Sequence, residues 1–92
     1  MIVRISTEGQ YELPDGIQGE LNEIDNRVVA AVEADDEAAY RESFDALLDF
    51  IRSRGTVLEH TDLRESDLIV PPPDLTLAEA EEEFSGDGLL PD

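Results

Sequence analysis

The spacing of apolar residues changes several times along the chain. At the start, Val3 and Ile5 alternate with Ile2 and Arg4, and after Gly9 the alternation resumes with Tyr11 and Leu13. A period of two on both sides of a glycine predicts a β-hairpin over residues 1–13, with Gly9 supplying the turn. The period then lengthens: Ile17, Leu21, Ile24, Val28 and Val32 recur at steps of three and four, which is the stripe of an amphipathic helix. Asp15 is the expected cap of that helix, with Gln18 three residues on as its capping-box partner. A second stripe, Tyr40, Phe44, Leu47, Leu48 and Ile51, follows an acidic start and precedes Arg52, Arg54 and Gly55. This charge order suits the two ends of a helix. Only a residue or two separates the stripes, so residues 15–55 are expected to form an antiparallel helical hairpin.

Residues 56–66 are polar and irregular apart from Val57, Leu58 and Leu63, and they read as a loop. Next comes "DLIVPPPDLTLAEAEEEF", where a short apolar run near residues 67–70 reads as a strand stopped by Pro71, since proline lacks the ladder's N–H. Three consecutive prolines hold the backbone extended at about 3.1 Å per residue. Thr76 and Glu79 then have capping-box spacing at the head of a short helix, with "SGDG" after it. The expected fold is α+β: a small sheet packed on a two-helix hairpin, with a short C-terminal helix after a proline corner. The whole chain, 1–92, reads as a single domain, divided into 1–13 (hairpin), 15–55 (helices), 56–70 (loop and strand) and 71–92 (corner, helix and tail).

Composition narrows the function classes. A chain of 92 residues supports one core and leaves little room for a deep cleft. It has no cysteine, which excludes disulfides, thiolate metal sites and cysteine nucleophiles and permits a reducing cytoplasm. No charged segment leads into an apolar export core, and no window approaches the roughly 20 apolar residues of a membrane span, so a soluble cytoplasmic protein is expected. Twenty-four acidic residues against six basic ones give a formal charge of -18. That sign disfavours phosphate backbones and anionic lipid, so neither nucleic-acid binding nor direct membrane insertion is expected. All six basic residues are arginines, namely Arg4, Arg27, Arg41, Arg52, Arg54 and Arg64. An acidic, lysine-free surface fits a salt-rich cytoplasm, a GC-rich genome or a basic partner equally well. Apolar residues at regular helical spacing nevertheless distinguish the chain from a disordered polyelectrolyte.

Candidate chemistry is sparse. His60 is the single histidine and sits in a polar stretch with no convergent ligand spacing. The run Glu81, Glu82 and Glu83 covers adjacent directions around a helix and reads as a solvated face. Neither a calcium-loop pattern nor a nucleophile elbow occurs. No catalytic, cofactor-binding or metal-binding residue is therefore assigned, and the protein is expected to be no enzyme and to need no cofactor. The proline corner has two readings, the end of an edge strand or a docking element. On the second, Leu68, Ile69, Val70, Pro71, Pro72 and Pro73 are the candidate partner contacts. Cutting the chain after Val70 is then expected to weaken partner capture more than it disturbs the two long helices.

The segments "MIVRISTEGQYEL", "LNEIDNRVVAAVEADD" and "DLIVPPPDLTLAEAEEEFSGDGLLPD" resemble the PspAA family, small proteins associated with phage shock protein A in actinobacteria and archaea. The resemblance runs over nearly the whole chain. It implies a role in the envelope (phage shock) stress response beside PspA, a membrane-remodelling coiled-coil protein, and it implies no reaction. An acidic adaptor or regulator, recruited to the inner face of the membrane through PspA, is the reading this suggests. The alternative is an acidic inhibitor that occupies the nucleic-acid-binding surface of a basic protein. Homodimerisation through strand edges stays open.

Overall fold

The computed structural model describes residues 1–58 and 65–84. The lone His60, Arg64, the "SGDG" stretch and the Leu89–Leu90 pair lie outside them. In chain order the elements are β1 (Ile2–Ile5), β2 (Gly9–Glu12), α1 (Gln18–Glu33), α2 (Glu37–Arg54), β3 (Thr56–Val57), β4 (Leu68–Val70) and α3 (Leu77–Glu83). The fold is α+β: a four-stranded mixed sheet in the order β3-β2-β1-β4, with the helical hairpin and α3 completing the core.

The hairpin pairs β1 with β2 antiparallel, with Ile5 opposite Gly9 and Ile2 opposite Glu12. Its tight turn residue lies two positions earlier than expected, at Thr7 in place of Gly9. Glu8 N–H donates to Ile5 O at 3.0 Å, and Thr7, with φ 71°, takes the left-handed position. Gly9, at φ 148°, opens β2. A β-branched residue at positive φ is strained, and at this turn the neighbouring Glu8 is anchored from outside the hairpin, as described below.

The helices are those the stripes predict, with different ends. α1 starts at Gln18, its N-cap is Ile17, and no side chain caps it. The expected Asp15–Gln18 capping box does not form. Gly16, with φ 85°, turns the chain so that Ile17 enters the core at 4 % exposure, and the Gln18 amide reaches towards Met1 instead. Burial of an isoleucine has outweighed one cap hydrogen bond. At the other end Asp35 takes φ 54°, with Asp35 N–H bonded to Val32 O and Asp36 N–H to Ala31 O. This is the Schellman closure of a helix, here with aspartate in the position usually held by glycine. Asp36 immediately caps α2 by accepting from Ala39 N–H at 3.0 Å. Two residues thus end one helix, start the next and force the antiparallel hairpin.

Residues 56–66 are not loop throughout. Thr56 and Val57 form β3 and pair with Glu12 and Tyr11 of β2. β4 lies on the other edge of the sheet, parallel to β1, with Val3 opposite Leu68 and Ile5 opposite Val70. Val3, Ile5, Leu21, Val28, Phe44, Ile51, Val70 and Phe84 have no solvent exposure. The core therefore runs from the inner face of the sheet through both helical stripes to the last described residue.

Candidate interaction site

The proline corner is fastened to α2 from both sides. Leu75 O accepts from the buried Tyr40 hydroxyl at 2.7 Å and from the Arg41 guanidinium at 3.2 Å, while a second Arg41 nitrogen donates to Pro73 O at 3.2 Å. The Arg41 Cζ lies 5.2 Å from the Tyr40 ring centre and 5.6 Å from that of Phe44. Tyr40 and Phe44 are themselves stacked at 5.6 Å. Prolines contribute no N–H of their own, so within the corner Leu75 N–H serves Pro72 O at 3.0 Å, and Tyr40 and Arg41 supply donors to Pro73 O and Leu75 O at the point where the chain turns into α3. Burial also pushes the Tyr40 hydroxyl pKa above its ordinary value. This clamp was not apparent from sequence, because a Tyr-Arg pair near the start of a helix carries no local mark of what it will meet.

The helix after the corner begins as its sequence predicts. Thr76 Oγ1 accepts from Glu79 N–H at 3.2 Å, and the Glu79 carboxylate accepts from Thr76 N–H at 3.0 Å, completing the capping box. The Thr76 backbone bond, followed by the hydroxyl bond, lowers the Glu79 pKa. α3 is anchored by Ala80 and Phe84, both without exposure, and Phe84 meets Phe44 edge-on with ring centres 5.8 Å apart. The corner therefore places α3 in the core, and α3 is no appendage.

The six candidate contact residues separate by burial. Val70 is fully buried, Pro71 is buried, and Leu68, Pro72 and Pro73 are half-buried. Ile69 is 60 % exposed, one of two large apolar side chains left in solvent among the described residues; the other is Val57. Alternation along β4 explains the split, since Val70 shares the inner face with Ile5 while Ile69 shares the outer face with Arg4. A groove of about 550 Å³ lies beside the corner, lined by Glu37, Ala38, Asp74 and Leu77 together with Tyr40, Arg41, Leu75 and Thr76. Three of its polar side chains are already engaged: Arg41 and Tyr40 hold the corner carbonyls, and Thr76 caps α3.

At the opposite end of α2 a second fastening holds the hairpin turn. Arg52 binds the Glu8 carboxylate through two nitrogens, one of them at 2.9 Å, and the Tyr11 hydroxyl donates to the same carboxylate at 2.7 Å. The Arg52 hydrogen bonds, then that of Tyr11, hold the Glu8 pKa down at about 2, and the carboxylate in turn raises that of Arg52. A depressed carboxylate pKa contributes stability above the unfolded value near 4.5, and this is lost as pH falls through about 2. Glu79 acts in the same direction. The Glu8 contribution should therefore shrink as pH is lowered from 5 towards 2: the melting-temperature gap between the parent and Glu8→Gln, in which the general loss of carboxylate charge largely cancels, should be widest near neutral pH and close towards pH 2. An unchanged slope in Glu8→Gln would show that the pair contributes nothing.

The charge of -18 is spread over a chain whose Cα radius of gyration is 12.7 Å. Such a field is self-repulsive, and salt screens charges farther apart than roughly 10 Å at 0.1 M. Melting temperature should therefore rise from low salt to 1 M sodium chloride, and a steady fall would contradict this.

Among the described residues no group of three or more acidic or histidine side chains has the geometry to hold a metal ion, and no helix is long and apolar enough to cross a membrane. The arrangement offers an acidic surface, an apolar strand edge and a rigid corner. A family model described as PspA-Associated protein matches residues 1–92, the full chain. Comparison with curated proteins and with solved structures finds no match.

Proposed function

The chain belongs to the PspA-associated protein family, and on that premise we propose that it is a non-enzymatic acidic adaptor or regulator that acts with PspA in the envelope-stress response. The full-length family match carries this reading, and the charge supplies its physical mode of action. A surface this acidic gains nothing from anionic lipid, so its route to the membrane is a protein that has basic surface of its own. In this mechanism the chain docks on basic stretches of the helical PspA assembly and alters how that assembly associates. Rim charges of this kind accelerate encounter and set specificity, so the complex weakens with salt even as the free domain gains stability. The fold suits the role, because two fastenings and a continuous core present the surface on a rigid body.

The test is capture from cells with and without PspA, using the full chain as bait. The adaptor reading expects PspA among the captured proteins and no competition from duplex DNA. If the bait instead captures a basic protein from both cell types and duplex DNA displaces it, the chain is a nucleic-acid-site inhibitor and the adaptor reading fails.

A further inference from the structure

The outer edge of β4 carries an exposed backbone that no described residue pairs with. Ser6 N–H donates to Val70 O at 2.9 Å, and Val70 stands opposite Ile5. The parallel ladder between β1 and β4 therefore runs through Leu68 and Val70, which directs the N–H and C=O of Ile69 away from β1 and out of the sheet. Ile69 is 60 % exposed beside these backbone groups, which no other described residue is seen to pair with. Edge strands are commonly blunted by a lysine, a proline or a bulge. β4 has none of these within it, and the first proline, Pro71, comes only after the strand ends.

We propose that β4 is a docking edge that accepts an extended, basic segment of a partner protein as a fifth strand beside Ile69. This deepens the adaptor reading and rests on it. Charge decides among occupants. A second copy of the chain would bring another -18 against the same edge, whereas a basic segment is attracted to it. Exposed Glu65 precedes the strand and exposed Asp74 follows the corner, while Arg4 stands opposite Ile69 on the outer face; Asp67, also before the strand, already accepts from Ile2 N–H at 2.8 Å. Basic residues of the added strand therefore belong at its two ends, near those acids, with an apolar residue at its centre over Ile69. Main-chain hydrogen bonds supply affinity in such a complex and the side chains supply its register.

The probe is a short synthetic peptide with lysines at both ends and valine at its centre. Its control is the same peptide methylated on alternate backbone amides, which keeps the charge and loses the donors. In the free full-length chain the Ile69 amide should exchange rapidly, and the unmodified peptide should protect it. The methylated peptide and the Ile69→Lys chain should each bind roughly tenfold more weakly. Ile69 is exposed, so this variant should keep the parent's circular dichroism. Equal binding of both peptides means a charge-only contact and overturns the proposal. Protection of Ile69 without peptide overturns it too: if it grows with protein concentration a second copy covers the edge, and if it does not the chain's own residues do. Capture of PspA separates the two readings. If parent and Ile69→Lys capture PspA equally, the edge proposal falls and the adaptor reading stands. If the parent captures none, the adaptor reading falls, and the peptide result decides the edge by itself.

Discussion

Replacing Phe84 by alanine should remove about 3–5 kcal/mol of stability, the usual cost of deleting a buried aromatic ring. Phe84 has no exposure, meets Phe44 edge-on, and is joined in the core by Leu75 and Ala80 from the same segment. Small domains typically have only about 5–15 kcal/mol in total, so Phe84→Ala leaves a marginal protein, and losing everything after Val70 should be worse. The expectation that such a truncation weakens partner capture more than it disturbs the two long helices did not include these contacts, which predict a disturbance of the helices as well. Those helices bury part of their stripes against α3, and Tyr40 and Arg41 would lose the carbonyls they hold. Urea unfolding followed by circular dichroism checks this. A loss below about 1 kcal/mol for Phe84→Ala would mean that α3 lies on the fold without completing it.

Gly55→Ala is the second change expected to be severe, and for a reason unrelated to the usual glycine argument. Gly55 follows α2 with φ -91° and ψ 159°, a conformation open to any residue. Space is what is missing. A Cβ there would lie 2.7 Å from Ile51 O, 2.9 Å from Tyr11 Cβ and 3.1 Å from Leu13 Cδ2. Two of these neighbours cannot swing away, since one is backbone and the other is a Cβ on β2. Relief requires α2 and β2 to separate, which would loosen the β2–β3 pairing that begins at Thr56. Overpacking of this kind costs about 1–3 kcal/mol, and the upper part of that range applies here. The measurement is again urea unfolding, supported by amide exchange at Val57, which should accelerate. If Gly55→Ala matches the parent in both, the close approach at this joint is not needed by the fold.

The residues that were legible in sequence are those whose signals are local. The two helical stripes, the Thr76–Glu79 box and the strand before Pro71 each follow from spacing within a few positions, and each appears where that spacing put it. The Asp15–Gln18 box had the same local form and failed, because Ile17 had a place in the core and the helix start moved to suit it. β3 was hidden for a different reason: two residues carry no period, and their pairing depends on Gly55 letting the chain approach β2. Thr7 in place of Gly9 at the left-handed turn position could not be read from propensity, because Arg52, forty-four positions from its acceptor Glu8, helps to fix that turn. At the corner, the apolar run ending at Pro71 identified the residues of β4 without saying which face would be buried. Val70 and Pro71 went inside, leaving Ile69 as the exposed apolar side chain of the strand.

Direct association of this chain with PspA is the claim on which the account depends most. The decisive measurement is a calorimetric titration of purified PspA with the purified full-length chain at low and at high salt. The account predicts a saturable complex that tightens as salt is lowered and persists in the presence of duplex DNA. No heat and no complex at any salt concentration would contradict it.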